Sequence, residues 1–234
     1  MLTIRSFIDA VMNILYPGYC PVCACRIMTS QALCPDCWKK LEFIYYEELG
    51  LPVVNANKID ENPGGAGCAF PVHSVVLFND ISRAMVHSMK YEDDMQVMVV
   101  IAKLMVMMVK FIDIKADIVV PVPMHPKKLR KRKYNQAALL AKIIAGKMGA
   151  NYLANGLLKV RDTQSQTSLP YLERLKNNDR AFALNRSKLQ LMQNKRIMLV
   201  DDVITTGATV YECASVLQTG INKPVKVACF ARNI

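Results

Sequence analysis

Four apolar residues, Ile197-Met-Leu-Val200, run into Asp201-Asp202 and then into Val203-Ile-Thr205-Thr206-Gly207-Ala208-Thr209. An apolar run ending in turn-forming residues predicts a strand buried on both faces, as in a parallel sheet. From Val210 to Gln218 apolar side chains return at helical spacing, and Gly220 stands where that helix is expected to stop. The loop Thr205 to Thr209 is thus expected between the carboxyl end of a strand and the amino end of a helix. Strand, loop and helix in that order commit the chain to an α/β architecture.

A helix amino terminus presents unpaired N–H groups and a partial positive charge. Gly207 lets backbone approach a bound group, and the threonines add hydroxyl donors. Together they form a cradle for a phosphate. Asp201 and Asp202 repel an anion and call instead for hydroxyl donors or a cation. The pattern as a whole asks for a ribose carrying a 5-phosphate. Its bland alternative is a capped strand–helix loop with surface aspartates.

The 234 residues, 52% of them hydrophobic, are enough for one full α/β domain with a small appendage, and they exclude global disorder. A formal charge of +11 favours anionic partners such as nucleotides, pyrophosphate, nucleic acid or a membrane surface. Leu2 to Pro17 is broken by Arg5 and Asp9 and reads as an amphipathic helix rather than a secretory signal. Val97 to Ile112 is apolar and methionine-rich, but it is interrupted by Lys103 and Lys110. It is short of the roughly twenty residues that span a bilayer, so a buried helix covering a sheet face is expected, with no transmembrane segment. The expected compartment is the cytoplasm, where cysteines stay reduced.

Five of the eight cysteines lie between positions 20 and 37. Cys20-Pro-Val-Cys23 and Cys34-Pro-Asp-Cys37 are two CxxC knuckles that together supply four thiolates for one tetrahedral metal, zinc first and iron second. Such a closed site is structural. Cys25 reads as a free surface thiol, Cys68 stands alone near the end of a Gly/Pro-rich linker, and Cys213 and Cys229 fit a helix and a strand. The expected division is 1–68 for the N-terminal helix, the four-cysteine unit and a linker, and 69–234 for the α/β domain.

A second buried-strand pattern, Asp117 to Pro123, is followed by the basic run Lys127 to Lys133 and a helix from Ala137 to Met148. Taken alone the basic run is a solvated loop. Between a strand and a helix, it is also placed to meet the charges of a pyrophosphate.

The order of these pieces resembles the ComF family of the type I phosphoribosyltransferase superfamily, linked to competence and to the use of external DNA. The resemblance rests on Cys20 to Cys37, Lys90-Tyr91, Pro121-Val-Pro-Met-His125 and Arg132-Lys-Tyr-Asn135-Gln136-Ala137. It continues through Arg161-Asp-Thr163-Gln-Ser-Gln166-Thr-Ser-Leu169, with Arg174 and Asn177 beyond, to the acid pair and its loop. Two departures stand out: Ala24 where many members have glycine, and Cys68 alone where many have a second cysteine group. The resemblance implies a parallel central sheet flanked by helices, with an N-terminal zinc-ribbon subdomain. It implies that Asp201 and Asp202 bind the ribose hydroxyls of phosphoribosyl diphosphate (PRPP). The segment Val203, Thr205, Thr206, Gly207, Ala208 and Thr209 would hold its 5-phosphate. Val122, Pro123 and Met124 would form the pyrophosphate loop, and 161–177 a mobile hood whose Arg161, Gln166 and Arg174 reach the diphosphate. Lys90 would join the substrate site, with Mg²⁺ accompanying PRPP and structural zinc on the cysteines. Two functions fit: a phosphoribosyltransferase acting on an unidentified base, or a non-catalytic PRPP-sensing protein that handles single-stranded DNA with competence partners. The helix at Leu2 to Tyr16 also offers a surface for a homodimer.

Overall fold

The computed structural model describes residues 18–27, 33–44, 70–162, 181–221 and 223–233. The expected N-terminal helix, Cys68, Gln166, Arg174 and most of the expected hood lie outside them, as does the division at residue 68.

Five parallel strands form the central sheet. They are β3 (Val72–Leu77), β4 (Ile118–Pro121), β5 (Asn151–Tyr152), β8 (Ile197–Ile204) and β9 (Val225–Arg232), in the order β3-β9-β8-β4-β5. The parallel sheet flanked by helices is therefore as the sequence predicts. The residues Ile197 to Val200 are all buried because β8 lies at the centre of the sheet with layers on both faces.

One face is covered by α2 (Asp80–Tyr91), α3 (Met95–Phe111) and α5 (Gln136–Met148). The methionine-rich segment forms α3, whose Met98, Ile101 and Met105 are fully buried in that layer. Asp94 starts it by accepting the N–H groups of Gln96 and Val97. The other face is covered by α7 (Ala208–Ile221), the short helix α6 (Leu189–Met192), and an antiparallel pair, β6 (Leu157–Lys159) with β7 (Phe182–Leu184).

Gly220 does not end the last helix; α7 continues to Ile221. A Cβ at position 220 would come within 2.5 Å of Leu184 Cδ2, so this glycine serves the close approach of β7 rather than a helix stop. The basic run also differs from a loop. It forms α4 (Pro126–Arg132), with His125 Nδ1 accepting the Lys127 N–H and Pro126 in the first turn.

β4 and β8 are neighbours, yet the chain leaves them toward opposite faces, to α5 after β4 and to α7 after β8. A crevice opens at such a divergence, beyond the carboxyl ends of the strands. β4 pairs with β8 only as far as Val200, whereas β8 runs on to Ile204 beside β9.

In the N-terminal unit β1 (Gly18–Tyr19) and β2 (Arg26–Ile27) form a hairpin, and α1 (Pro35–Lys39) follows. Phe43 bridges Val76 at the edge of β3, with Ile44 N–H donating to Val75 O and Leu77 N–H to Glu42 O. This contact covers part of an open sheet edge.

Candidate functional site

The acid pair belongs to β8 itself, not to the loop after it. Successive strand residues point to opposite faces, and the two carboxylates follow that rule. Asp202 meets Lys90 at the end of α2, with Nζ 2.6 Å from Oδ2. The angle there is not that of a hydrogen bond, so the contact is an ion pair. Asp201 turns toward the α7 layer, where its charge bears on the thiols of Cys213 and Cys229. Past Val200, where β4 no longer pairs, Asp201 Oδ1 accepts the Asp202 N–H at 2.9 Å and Asp202 Oδ1 accepts the Val203 N–H at 2.8 Å. Burial, then the Asp202 charge, push the Asp201 carboxyl up to about 8, while Lys90 works against them.

The loop 205–207 is shorter than expected, because the strand takes Ile204 and the helix takes Ala208. Gly207 adopts φ +75°, a left-handed conformation that justifies a glycine there. Thr206 Oγ1 accepts the Ala208 N–H at 3.5 Å. The mouth of α7 therefore faces the loop as the sequence predicts.

A cleft of about 190 Å³ lies at the divergence of β4 and β8. Of the residues expected at the site, Lys90, Val122, Pro123, Met124, Asp201, Asp202 and Thr209 line it, and Thr206, Gly207 and Ala208 lie outside its lining. Val203 packs against the α2 and α3 layer, and Thr205 and Arg161 are exposed outside the lining. The opposite wall is built by Val122, His125, Lys128, Arg132 and Asn135, and Lys159 of β6 also faces in. Lys159 carried no signal in the sequence, because its strand is three residues long and pairs only with β7.

Four consecutive residues fasten this wall. Arg132 Nη2 donates to Tyr91 Oη at 2.9 Å, and Lys133 Nζ donates to Asp93 Oδ2 at 2.5 Å. Tyr134 Oη donates to the Met89 carbonyl at 3.1 Å, and Asn135 Nδ2 to the Val122 carbonyl at 2.9 Å. The first three grip the end of α2, which carries Lys90. The fourth grips the loop after β4. Asp93 and Lys133 both have positive φ, 54° and 64°. Such backbone strain persists only where surroundings hold it.

Hard oxygen donors at the end of β8 suit sugar hydroxyls and a hydrated Mg²⁺. Direct ligation by Asp202 Oδ2 competes with Lys90, so the donor set fits a magnesium held through water or through the ligand's own oxygens.

The sulfurs of Cys20, Cys23, Cys34 and Cys37 lie within 4.8 Å of one another, and Cys23 and Cys34 are 3.6 Å apart. Four thiolates at zinc–sulfur bonds of about 2.3 Å stand roughly 3.8 Å apart, so the cluster fits tetrahedral zinc. The Cys37 N–H donates to Cys34 Sγ at 3.4 Å and pulls that thiol down to about 6, toward the ligating thiolate. Ala24, just after the first knuckle, has φ +57°, the conformation that a glycine adopts freely.

A family model described as a double zinc ribbon domain matches residues 11–49. One four-cysteine group is present among the described residues. The DNA utilization protein YhgH of Salmonella typhi is 26% identical over 225 residues, covering 93% of this chain and 91% of that protein. Competence protein F of Haemophilus influenzae is 35% identical over 102 residues, 44% of each chain. Among solved structures, the purine phosphoribosyltransferase of Pyrococcus horikoshii overlaps 56% of this chain and 69% of its own, at 17% identity and a TM-score of 0.34. As the ComF resemblance predicts, the chain is a homologue of the proteins named DNA utilization protein YhgH and Competence protein F.

Proposed function

We propose that the chain binds PRPP with Mg²⁺ and transfers its phosphoribosyl group to a nitrogenous acceptor, releasing pyrophosphate. The observation that carries this reading is the meeting of three parts in one crevice: the acid pair of β8, the mouth of α7 and the loop after β4. Asp201 and Asp202 accept the ribose hydroxyls, and the amides and hydroxyls of 205–209 receive the 5-phosphate. The C1 substituent then faces Val122 to His125. Mg²⁺, when bound, offsets the charge of the departing diphosphate. This chain contributes positioning and a field of basic side chains, since a ribose cation needs no protein nucleophile. Arg161, Gln166 and Arg174 retain their proposed role on the diphosphate. Asp201→Asn and Thr206→Ala are expected to weaken PRPP binding at least tenfold with the fold intact. Calorimetry finding wild-type PRPP affinity in both variants would defeat the reading.

A second reading has its own observation. Tyr91, 60% exposed, has His87 at 4.8 Å and the Arg132 guanidinium at 5.0 Å from its ring. That arginine belongs to the run of six basic residues from Lys127 to Lys133. An aromatic platform beside a basic surface suits single-stranded nucleic acid, and the relatives are named for DNA utilization and competence. Pyrophosphate release from PRPP with a panel of bases supports the transferase. Salt-dependent single-strand binding, weakened by Tyr91→Ala and without turnover, supports the second reading.

A further inference from the structure

Most cations around the cleft are already committed. Lys90 is paired with Asp202, Lys127 with Asp162 at 3.3 Å, Lys133 with Asp93, and Arg132 with the Tyr91 hydroxyl and ring. Lys128 and Lys159 have no carboxylate or hydroxyl partner of this kind, although Lys159 lies over the Phe182 ring. Both line the cleft, one from α4 and one from β6, and among the described residues neither has a carboxylate within ion-pairing distance. They are near enough for the charge of Lys128 to bear on Lys159. Burial and then that neighbour lower the Lys159 ammonium, and burial also lowers Lys128, with the charge of Asp162, itself paired with Lys127, working against both.

Lys159 is placed, not adventitious. Its partner in the β6–β7 pair is Phe182, whose ring centre lies 5.0 Å from Nζ. Phe182 and Ala181 are fixed in turn by Glu212 of α7, whose Oε1 accepts the Ala181 N–H at 2.7 Å and the Phe182 N–H at 3.3 Å. The helix that begins at the phosphate loop therefore also fixes the strand that aims Lys159.

Two half-buried ammonium groups facing one cleft repel each other and lose hydration. An anion between them reverses both costs. We infer that Lys128 and Lys159 form an oxyanion subsite, separate from the 205–209 cradle and from the loop after β4. Its ligand is a phosphate, diphosphate or carboxylate group whose oxygens bridge the two ammonium groups. The inference deepens the PRPP reading and takes its orientation from it. With the sugar on the acid pair, the oxyanion belongs either to the C1 diphosphate or to an anionic acceptor.

The test is calorimetry on the full-length, zinc-loaded chain at physiological salt, with inorganic pyrophosphate, ribose 5-phosphate and PRPP as probes. Lys128→Met and Lys159→Met are each expected to weaken pyrophosphate binding roughly tenfold or more, with ribose 5-phosphate saturating the cradle. Lys159→Arg, which keeps the charge, restores most of that affinity. Ribose 5-phosphate affinity and thermal unfolding are expected to stay at wild-type values in all three variants. An equal loss of PRPP affinity assigns the subsite to the sugar's diphosphate, while a loss confined to free pyrophosphate assigns it to the acceptor side. Wild-type pyrophosphate affinity in both methionine variants overturns the subsite. Failure of ribose 5-phosphate to bind the wild-type protein defeats the PRPP reading instead, and pyrophosphate titrated without sugar still decides the lysine pair.

Discussion

Replacing Lys90 by methionine removes the cation that faces the acid pair and keeps most of the stem's packing. The Lys90 side chain is 21% exposed and that of Asp202 10% exposed, so water screens the pair only in part. Breaking a buried ion pair from one side costs roughly 3–5 kcal/mol, and the partial exposure here puts Lys90→Met near the low end, about 3 kcal/mol at pH 8.5. The loss depends on pH because of Asp201. Its carboxyl is raised from 3.8 to about 8 in the fold, so the folded chain holds that proton more tightly than the unfolded one. Such a group contributes its full stability below pH 3.8, and that contribution is lost as pH rises toward 8, at up to about 1.4 kcal/mol per pH unit. Lys90 limits the rise, and without it the Asp201 value moves higher still. Urea unfolding followed by circular dichroism at pH 4.5 and pH 8.5 reads the difference. The variant is expected to lose less at pH 4.5, by up to about 0.8 kcal/mol, because Asp201 is protonated there with or without Lys90 and is only part-ionised in the wild type at pH 8.5. Equal losses at the two pH values would refute the coupling of Lys90 to the Asp201 proton.

Gly220→Ala gains about 1 kcal/mol of helix propensity but drives Cβ into Leu184, so a net loss of about 1 kcal/mol is expected in thermal unfolding. Adding Leu184→Ala should recover the propensity gain relative to Leu184→Ala alone, and the explanation is wrong if it does not. Ala24→Gly relieves the left-handed backbone after the first knuckle and is expected to stabilise the zinc-loaded chain by about 0.5–1 kcal/mol. A lower melting temperature would contradict that. Zinc removal by a strong chelator, or Cys20→Ser, is expected to unfold the N-terminal unit, whose two-residue strands cannot hold a hairpin alone. Retained amide protection at Cys20 and Ala24, whose N–H groups close that knuckle, would show that the metal is dispensable.

The parts of the site that were legible in the sequence are local ones. The run into Asp201 and Asp202 gave a buried strand because a central strand needs apolar side chains on both faces. Gly207 was readable because its backbone conformation needs a glycine. The CxxC spacing was readable because a knuckle is closed by its own amides. The basic run misled, since charge suggested a loop, while His125 and Pro126 already carried an N-cap and a first-turn proline. Lys159 and the fastening of residues 132–135 were not legible. Their partners lie 13 to 45 positions away along the chain or on another element, and no local period records such contacts. Gly220 shows the same limit, since its neighbour Leu184 belongs to a different strand.

The divergence of Asp201 and Asp202 to opposite sides of β8 gives each acid a different guardian. One answers to the packing of Cys213 on α7 and Cys229 on β9, the other to the placement of α2. Sequence drift in the α2 layer reaches both carboxylates through Lys90, whereas repacking of α7 acts first on Asp201. Two adjacent codons thereby share one charge balance, read out as the proton held at the crevice and the cation that faces it.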